Sequence, residues 1–354
     1  MIELLEMLFL AIAQGIGEFL PISSSGHNAV IVHLFERFGE PLADDSSEFV
    51  KLNILLHVGS LVAVLIIFRQ RIFDMFSKDL RLIPLLIIAT IPAVVVGYPI
   101  HKFFPRLEDF LPLISICFIV TGCLLLYSRW LETTGSAMKV GSNEIRERNV
   151  AERPDLAGTP GSTFSYYRKG YLAFADSAKG HLDSIYNHVA VPQSPPEGKT
   201  TSTMTWKDAL FIGCAQGFAV MPGLSRSGTT IVAGLFCKLK REEAAAFSFI
   251  MSIPIIAGGG LLEFVHMIRH PAEPGTATIP DWLLLVGALA SCVAGIISLV
   301  FLLNWLKKGK LWYFAIWVFV MSPLTMLLWL TAPAEPDLPQ EPAAAVQIEE
   351  HDVQ

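Results

Sequence analysis

The sequence predicts an all-α, polytopic membrane protein built from two related halves. Hydrophobic residues make up 53% of the 354-residue chain and charged residues only 16%, which is too apolar for a soluble enzyme of this length. Six stretches have the length and apolarity that a bilayer-crossing helix needs. A polar motif that interrupts the apolar pattern occurs twice, 202 residues apart, which indicates an internal repeat.

The predicted spans form two groups of three. Each is near the roughly 17 to 25 residues that cross a bilayer as a helix. They are Leu52–Phe68, Leu82–Ile100 and Phe110–Ser128, followed by Ala245–Ile268, Trp282–Trp305 and Leu311–Thr331. Loops rich in lysine and arginine follow the first span, precede the fourth and separate the last two, so the positive-inside rule places them in the cytoplasm. The acidic loops belong on the outside.

Residues 1–34 precede the first span and contain the stretch QGIGEFLPISSSGH, from Gln14 to His27. Pro21 and three consecutive serines interrupt a helix there, and broken backbone at membrane depth is tolerated only where it is buried in protein or lines a polar cavity. Because the acidic loop that follows lies outside, this segment either crosses the membrane or enters it and returns. The interruption favours the second arrangement, a re-entrant helix-loop-helix.

A second copy of the motif, AQGFAVMPGLSRSGTTIV, begins at Ala215 and predicts a second hairpin over residues 207–238. In this alignment Gln14 corresponds to Gln216. The charge rule places the flanks of the second hairpin in the cytoplasm, so the two halves are predicted to have inverted topology. Interrupted segments in corresponding positions of two inverted halves indicate a site near the membrane midplane, where the two tips meet.

The two repeats occupy residues 1–131 and 206–331. Residues 132–205 are rich in Pro, Gly, Ser and Thr, which predicts a polar cytoplasmic insert or linker. Within it, Ser165–Tyr186 has the pattern of an amphipathic helix on the membrane surface. Residues 332–354 are acidic and proline-rich, which predicts a disordered tail.

The two motifs together suit an anion with phosphate-like oxygens. The first offers hydroxyls and backbone N–H groups at the start of a new helix near Gly26. In the second, Arg226 is flanked by hydroxyls, and a guanidinium holds phosphate through two parallel hydrogen bonds. The predicted phosphate-binding residues are Ser23, Ser25, Gly26, Ser225, Ser227, Gly228, Thr229 and Thr230.

Glu18 shares a helix face with Gln14. Its carboxylate would repel a phosphate unless a divalent cation lies between the carboxylate and the phosphate, or unless the carboxylate acts as a base. These two residues are therefore the candidate metal site. His27 is a candidate proton donor, base or nucleophile. A structural counter-ion role for Arg226 remains an alternative. The predicted catalytic residues are Glu18, Ser24, His27 and Arg226, with His57 as a secondary candidate.

At these residues the sequence resembles the undecaprenyl-diphosphate phosphatase family, integral membrane phosphatases linked to bacitracin resistance. The family signatures are Glu/Gln-x-x-x-Glu followed by Pro-x-Ser-Ser-(Ser/Thr)-Gly-His, and Pro-Gly-x-Ser-Arg-Ser-Gly-x-Thr; they match Gln14–His27 and Pro222–Thr230. The resemblance implies two re-entrant segments beside the six spans and dependence on Mg²⁺ or Ca²⁺. Because Gln14 replaces an acid, metal binding is expected to depend more on the substrate's phosphates.

The resemblance also implies an activity and a setting. The activity is removal of the terminal phosphate from the C55 polyprenyl diphosphate at the periplasmic face of the bacterial inner membrane. For the mechanism, the residues of the motifs offer His27 or Ser24 as nucleophile or base, and the sequence does not choose between a phospho-enzyme and direct attack by water. The partners are the lipid substrate and the membrane but no nucleic acid, and a homodimer is left open. A carrier or flippase that moves polyprenyl phosphate without hydrolysis is the alternative, because inverted repeats with broken helices are typical of transporters.

Overall fold

The computed structural model describes residues 2–38, 46–104, 107, 109–152, 198–269 and 279–332. Within these ranges the chain is helical and has no β-strand, and a short 3₁₀ turn at Thr201–Thr203 precedes the second group of helices. The helices are α1 Ile2–Phe19, α2 Ser24–Phe38, α3 Ser46–Ser77, α4 Leu82–Phe103, α5 Leu111–Glu152, α6 Trp206–Phe218, α7 Arg226–Phe236, α8 Arg241–Arg269, α9 Asp281–Lys307 and α10 Tyr313–Leu330.

Six of these helices are long and apolar enough to cross a membrane, which confirms the predicted number and order of spans. The stretches are Lys51–Ser77, Leu82–Ile100, Leu111–Leu131, Arg241–Leu262, Asp281–Lys307 and Tyr313–Leu330. The first span is longer than the predicted one because the basic residues after Phe68 continue α3 to Ser77. Charged residues are compatible with a helix and mark only where it leaves the apolar layer.

The first helix pair, α1 and α2, folds back on itself. Pro21 lacks the N–H that would continue the helix, and Ser23 adopts a left-handed φ of 71°, so the chain reverses before α2 begins. Phe9 of α1 and Phe35 of α2 are in ring contact, with centroids 6.2 Å apart. The beginning of α1 and the end of α2 also pack into one buried cluster with the first turn of α9, around Leu283.

The second helix pair, α6 and α7, has the same form. Gly223 has a φ of 84°, which is accessible to glycine without strain, and reverses the chain between the two helices. Phe211 of α6 stacks on Phe236 of α7 with centroids 5.2 Å apart. The beginning of α6 and the end of α7 are therefore neighbours, as in the first pair.

Each helix pair lies against a long helix of the other half. Helix α1 packs on α9, and α6 packs on α4, while α3 and α8 contact each other between them. Glycines allow the backbones to come close: a Cβ atom at Gly15 would lie 2.4 Å from the Ser291 carbonyl oxygen, and one at Gly213 would lie 2.4 Å from that of Ala89. These contacts fix where the two helix breaks lie.

The chain entering the second half is tied to three long helices by a buried polar network. Arg71 of α3 donates to Glu243 of α8 and to the Thr201 hydroxyl, each at 2.5 Å. Arg81, next to the start of α4, donates to the Met204 carbonyl oxygen at 2.6 Å. This network holds the chain just before α6 at one end of the helix bundle.

Parts of the predicted polar insert belong to ordered elements, since residues 132–152 continue α5 and residues 198–205 lead into α6. The predicted amphipathic helix at Ser165–Tyr186 lies outside the described residues. The same is true of the predicted disordered tail beyond Ala332.

Candidate active site

The two helix breaks meet in the interior of the bundle. A Cβ atom at Gly26 would lie 2.9 Å from the Cα of Gly223, and one at Gly228 would lie 3.1 Å from the Cβ of Pro21. Pro21 and Gly26 occupy the places in the first motif that Gly223 and Gly228 occupy in the second. The contact is therefore reciprocal, and the structure brings the two motifs together as the sequence predicts.

An ion pair joins the motifs. Arg226 donates from Nη2 to Oε1 of Glu18, and these side chains are only 16% and 8% exposed. The other terminal nitrogen of Arg226, Nη1, is also buried, and within the described part of the chain it has no hydrogen-bond partner. A buried donor without an acceptor is costly, so Nη1 is positioned to bind an anion.

The second oxygen of Glu18, Oε2, accepts two hydrogen bonds. Ser24 donates its hydroxyl at 3.0 Å, and Gln14 donates its amide nitrogen at 3.2 Å. The side-chain oxygen of Gln14 accepts from Asn28 at 2.8 Å. His57, the secondary candidate, has Nε2 at 3.9 Å from Oε2 of Glu18. Glu18 thus organises a buried polar cluster in which Ser24 is held by a carboxylate.

The serines of the first motif form a tight turn at the start of α2. The Ser23 hydroxyl oxygen accepts from the backbone N–H of Gly26 at 3.3 Å and lies 3.3 Å from the Ser25 hydroxyl. A Cβ atom at Gly17 would come within 2.7 Å of the Cα of Ser24, so glycine at that position lets the turn approach α1. The turn thereby places Ser24 beside Glu18.

The second motif forms a matching turn at the start of α7. Ser225 caps the helix by accepting from the N–H of Gly228 at 3.1 Å, and its oxygen lies 3.2 Å from the Ser227 hydroxyl. Thr230 donates back to the Arg226 carbonyl oxygen at 2.7 Å, so its hydroxyl is occupied within its own helix. The Thr229 hydroxyl is buried and has no partner within the described residues.

A small polar cleft lies at the contact between the motifs. Its walls carry one carboxylate, one guanidinium and four hydroxyl groups, a combination that suits a phosphate group near a reacting hydroxyl. The lining residues are Gly17, Glu18, Ser23, Ser24 and Ser25 from the first half, and Ala219, Leu224, Arg226 and Ser227 from the second. Of the predicted phosphate-binding residues, Ser23, Ser25 and Ser227 line this cleft, and the others do not: Gly26, Ser225, Gly228, Thr229 and Thr230.

His27 is oriented differently from the other predicted catalytic residues. Its Nδ1 lies 2.8 Å from the Ser23 carbonyl oxygen, and its Nε2 accepts from the indole N–H of Trp317 at 2.8 Å. Both ring nitrogens are thus occupied, and His27 does not line the cleft. The structure brings Glu18, Ser24 and Arg226 together at the cleft and places His27 behind the serine turn.

The cleft fits a divalent cation only with help from a substrate. Among the described residues, no three His, Cys, Asp or Glu side chains are grouped as metal ligands. Glu18 supplies a carboxylate, but the side-chain oxygen of Gln14 is occupied by Asn28. Mg²⁺ is commonly held by one or two carboxylates together with substrate phosphates, and Glu18 fits that arrangement.

Polar residues outside both motifs complete the site. Thr121 of α5 accepts from the backbone N–H of Ser225 at 3.0 Å and donates to the Gly223 carbonyl oxygen at 3.3 Å, which stabilises the second turn. Asn28 orients Gln14, and Trp317 binds His27. Asn28 follows directly after the first motif, whereas Thr121 and Trp317 lie in apolar spans where no sequence spacing marks them.

Comparisons with known proteins identify the family of this chain. A family model described as "Bacitracin resistance protein BacA" matches residues 7–151 and 171–324. The chain is 33% identical to "Undecaprenyl-diphosphatase 3" of Bacillus cereus and 30% identical to "Undecaprenyl-diphosphatase" of Rhodopirellula baltica. Each alignment covers 92% of this chain and 98% of the relative. The chain therefore belongs to the bacitracin resistance protein BacA family.

Proposed function

We propose that the protein hydrolyses undecaprenyl diphosphate to undecaprenyl phosphate and inorganic phosphate, the activity for which its relatives are named. One observation carries this proposal: a hydroxyl bound to a carboxylate lines the same cleft as Arg226, whose buried Nη1 has no hydrogen-bond partner within the described residues. The first pair suits nucleophilic attack, and the guanidinium nitrogen suits a phosphoryl oxygen.

Ser24 is the nucleophile in the proposed mechanism, and Glu18 is its base. The Ser24 hydroxyl already donates to Oε2 of Glu18 at 3.0 Å, so the carboxylate can take the proton as the oxygen attacks the terminal phosphorus. The bond from that phosphorus to the bridging oxygen breaks, and undecaprenyl phosphate leaves with the bonding electrons. Water then attacks the phosphoserine, which releases inorganic phosphate and restores the Ser24 hydroxyl.

Arg226 stabilises the charge that spreads over the phosphoryl oxygens during transfer. Its Nη2 stays on Glu18 while Nη1 is available to the phosphate, so one guanidinium orients both the base and the substrate. Hydroxyls of Ser23, Ser25 and Ser227 provide further donors at the cleft wall. A divalent cation, Mg²⁺ or Ca²⁺, would be held by Glu18 and the substrate's phosphates and would neutralise part of the diphosphate charge.

We also infer that the two helix pairs are re-entrant hairpins in inverted halves. The ends of the first pair lie together beside the start of α9, and the ends of the second lie together beside the basic end of α3. The two halves also make equivalent contacts: α1 of the first half packs on α9 of the second, and α6 of the second half packs on α4 of the first. With the basic loops inside, the first hairpin enters from the periplasmic side of the inner membrane.

Cysteine labelling tests this topology. The five native cysteines are first replaced, and single cysteines are then introduced at Arg37, Lys207 and Lys240. A membrane-impermeant maleimide should label Arg37→Cys in intact spheroplasts and should label Lys207→Cys and Lys240→Cys only after lysis. Labelling of Lys207→Cys and Lys240→Cys from opposite sides would show that α6 and α7 together cross the membrane.

Phosphate release from detergent-purified protein tests the activity. With substrate labelled at the terminal phosphorus, wild type should release labelled phosphate, and rapid quenching should trap label on Ser24. Ser24→Ala should lose both signals, whereas Ser25→Ala, which changes the adjacent hydroxyl, should still trap label. Folded wild type that releases no phosphate would contradict the proposed function, and turnover without trapped label would contradict Ser24 as nucleophile.

The same assay separates hydrolysis from the carrier alternative, because detergent removes the leaflets between which a carrier works. A carrier that does not hydrolyse would release no phosphate. The hydroxyl held by Glu18 in the cleft serves bond cleavage and has no evident use in transport alone. Hydrolysis is therefore the favoured function.

A further inference from the structure

Trp317 of α10 makes a polar contact with the first motif, beside the apolar packing of Val318 against that motif. Its indole N–H donates to Nε2 of His27 at 2.8 Å, and the two rings lie edge to edge with planes 10° apart and centroids at 6.0 Å. Phe118, which is fully buried, meets the His27 ring edge-on at 5.2 Å. The imidazole is therefore held by the Phe118 ring and by a directional hydrogen bond from Trp317.

This hydrogen bond fixes the protonation of the imidazole. Because Nε2 accepts a hydrogen bond from the Trp317 N–H, Nε2 carries no proton itself, and in the neutral ring the hydrogen must be on Nδ1. Nδ1–H then donates to the Ser23 carbonyl oxygen at 2.8 Å. Two successive hydrogen bonds thus connect Trp317 through His27 to the backbone of the serine turn.

The accepting carbonyl belongs to the strained residue of that turn. Ser23 has a φ of 71°, which costs a side-chain-bearing residue roughly 1 kcal/mol or more and persists only where neighbours hold it. The same carbonyl also accepts from the backbone N–H of His27 at 3.3 Å. Ser24 follows directly, so the position of its hydroxyl beside Glu18 depends on this turn.

We propose that Trp317 is a positioning residue, which holds His27 in its Nδ1-protonated form and so fixes the turn that presents Ser24 to the phosphate. The inference rests on the proposed function. It gives His27 the task of orienting the nucleophile through Ser23, and it makes α10 part of the site although neither motif lies on it.

Trp329 offers a matched control for Trp317. Both are tryptophans of α10 with similar exposure, 49% for Trp317 and 45% for Trp329. Trp329 lies at the far end of the helix, where tryptophan commonly anchors a span at the membrane interface. A general anchoring effect of tryptophan should appear in both variants, whereas an effect through His27 should appear only at Trp317.

Steady-state kinetics of Trp317→Phe and Trp329→Phe, in detergent, test the proposal. Trp317→Phe keeps an aromatic ring at this position but removes the N–H donor, so kcat should fall about five- to tenfold, the value of one hydrogen bond, with little change in KM. Trp329→Phe should match wild type. Unchanged kcat in Trp317→Phe, with wild type active, would overturn this inference and leave the proposed function standing.

A double-mutant cycle identifies the route of the effect. In a His27→Ala background, Trp317→Phe should cause no further loss, because its effect passes through the imidazole. Nitrogen-15 NMR of labelled histidine should show His27, assigned by its absence in His27→Ala, as one Nδ1-protonated tautomer in wild type and as a tautomer mixture in Trp317→Phe. Independent, multiplicative losses together with an unchanged tautomer would contradict the proposal.

Discussion

The two helix breaks share a backbone design. In the first, the Ser23 hydroxyl accepts from the N–H of Gly26 at 3.3 Å; in the second, the Ser225 hydroxyl accepts from that of Gly228 at 3.1 Å. Each serine also lies near the hydroxyl two residues further along. The residues that the two breaks share are therefore the serines that cap a helix and the glycines that let two backbones come close. Both are requirements of the fold.

The breaks differ in the side chains that carry charge. Where the first has Glu18 and Ser24, the corresponding residues of the second are Val220 and Arg226. In the proposed mechanism, the first break thus supplies the base and the nucleophile, and the second supplies the cation. Because the tips meet, the two unlike halves build one site that neither contains alone.

The largest effect is expected from Glu18→Gln, which keeps the shape of the side chain and removes its charge. Phosphate release should fall by about 10²–10⁴-fold, the range for losing a general base. Glu6→Gln makes the same change on the same helix away from the cleft and should leave turnover within about twofold of wild type. Retained activity in Glu18→Gln would make this acid structural.

Arg226→Ala should reduce turnover by about 10²–10³-fold, by analogy with the loss of one donor to a developing oxyanion. Arg226→Lys should recover only part of that loss, because an ammonium cannot bind Glu18 and the phosphate in the same planar geometry. The measurement is kcat for each variant at saturating substrate. Full activity in Arg226→Ala would reduce the arginine to a counter-ion for Glu18.

Gly223→Ala should affect stability more than chemistry. Its φ of 84° is unfavourable for alanine, and the added Cβ would lie 2.6 Å from the Ile114 carbonyl oxygen, so we expect a loss of about 2 kcal/mol or more. Gly258→Ala is the control, because its Cβ would meet no atom within 4 Å. Thermal unfolding in detergent should show a lower Tm for Gly223→Ala and an unchanged or higher one for Gly258→Ala.

The smallest effect is expected at Gln216, the counterpart of Gln14. Both are fully buried, but Gln14 bonds Glu18 and Asn28, whereas the amide of Gln216 has no hydrogen-bond partner within the described residues. Gln14→Leu should therefore lower Tm, and Gln216→Leu should leave it unchanged or raise it. A large loss of Tm in Gln216→Leu would indicate that its amide has a role in the folded protein.

The spans, the repeat and the meeting of the motifs could be predicted because they follow from local patterns. Apolar runs of the right length give the spans, and the offset between Gln14 and Gln216 aligns the two breaks. The contact between Glu18 and Arg226 follows once both breaks are placed at the membrane midplane. In a nonpolar layer, a carboxylate and a guanidinium of opposite charge are expected to pair, which leaves few other positions for these two side chains.

The orientation of His27 could not be predicted, because it depends on a residue far away in the sequence. Next to three serines and a glycine, His27 has the pattern of a catalytic histidine, yet the structure turns both ring nitrogens toward Ser23 and Trp317. Trp317 lies among apolar residues of α10 without a spacing that links it to the motif. Packing between distant helices, and not local sequence, determines such contacts.

A double-mutant cycle between Glu18 and Arg226 tests the central claim most directly, since that claim is that the two breaks form one site. The measurement is phosphate release by Glu18→Gln, Arg226→Ala and the double variant, each verified as folded by its Tm. Residues that act as a unit are strongly non-additive, so the double variant should be no more than a few-fold slower than the slower single variant. Losses that multiply would show that the two residues act independently, which would contradict a shared site.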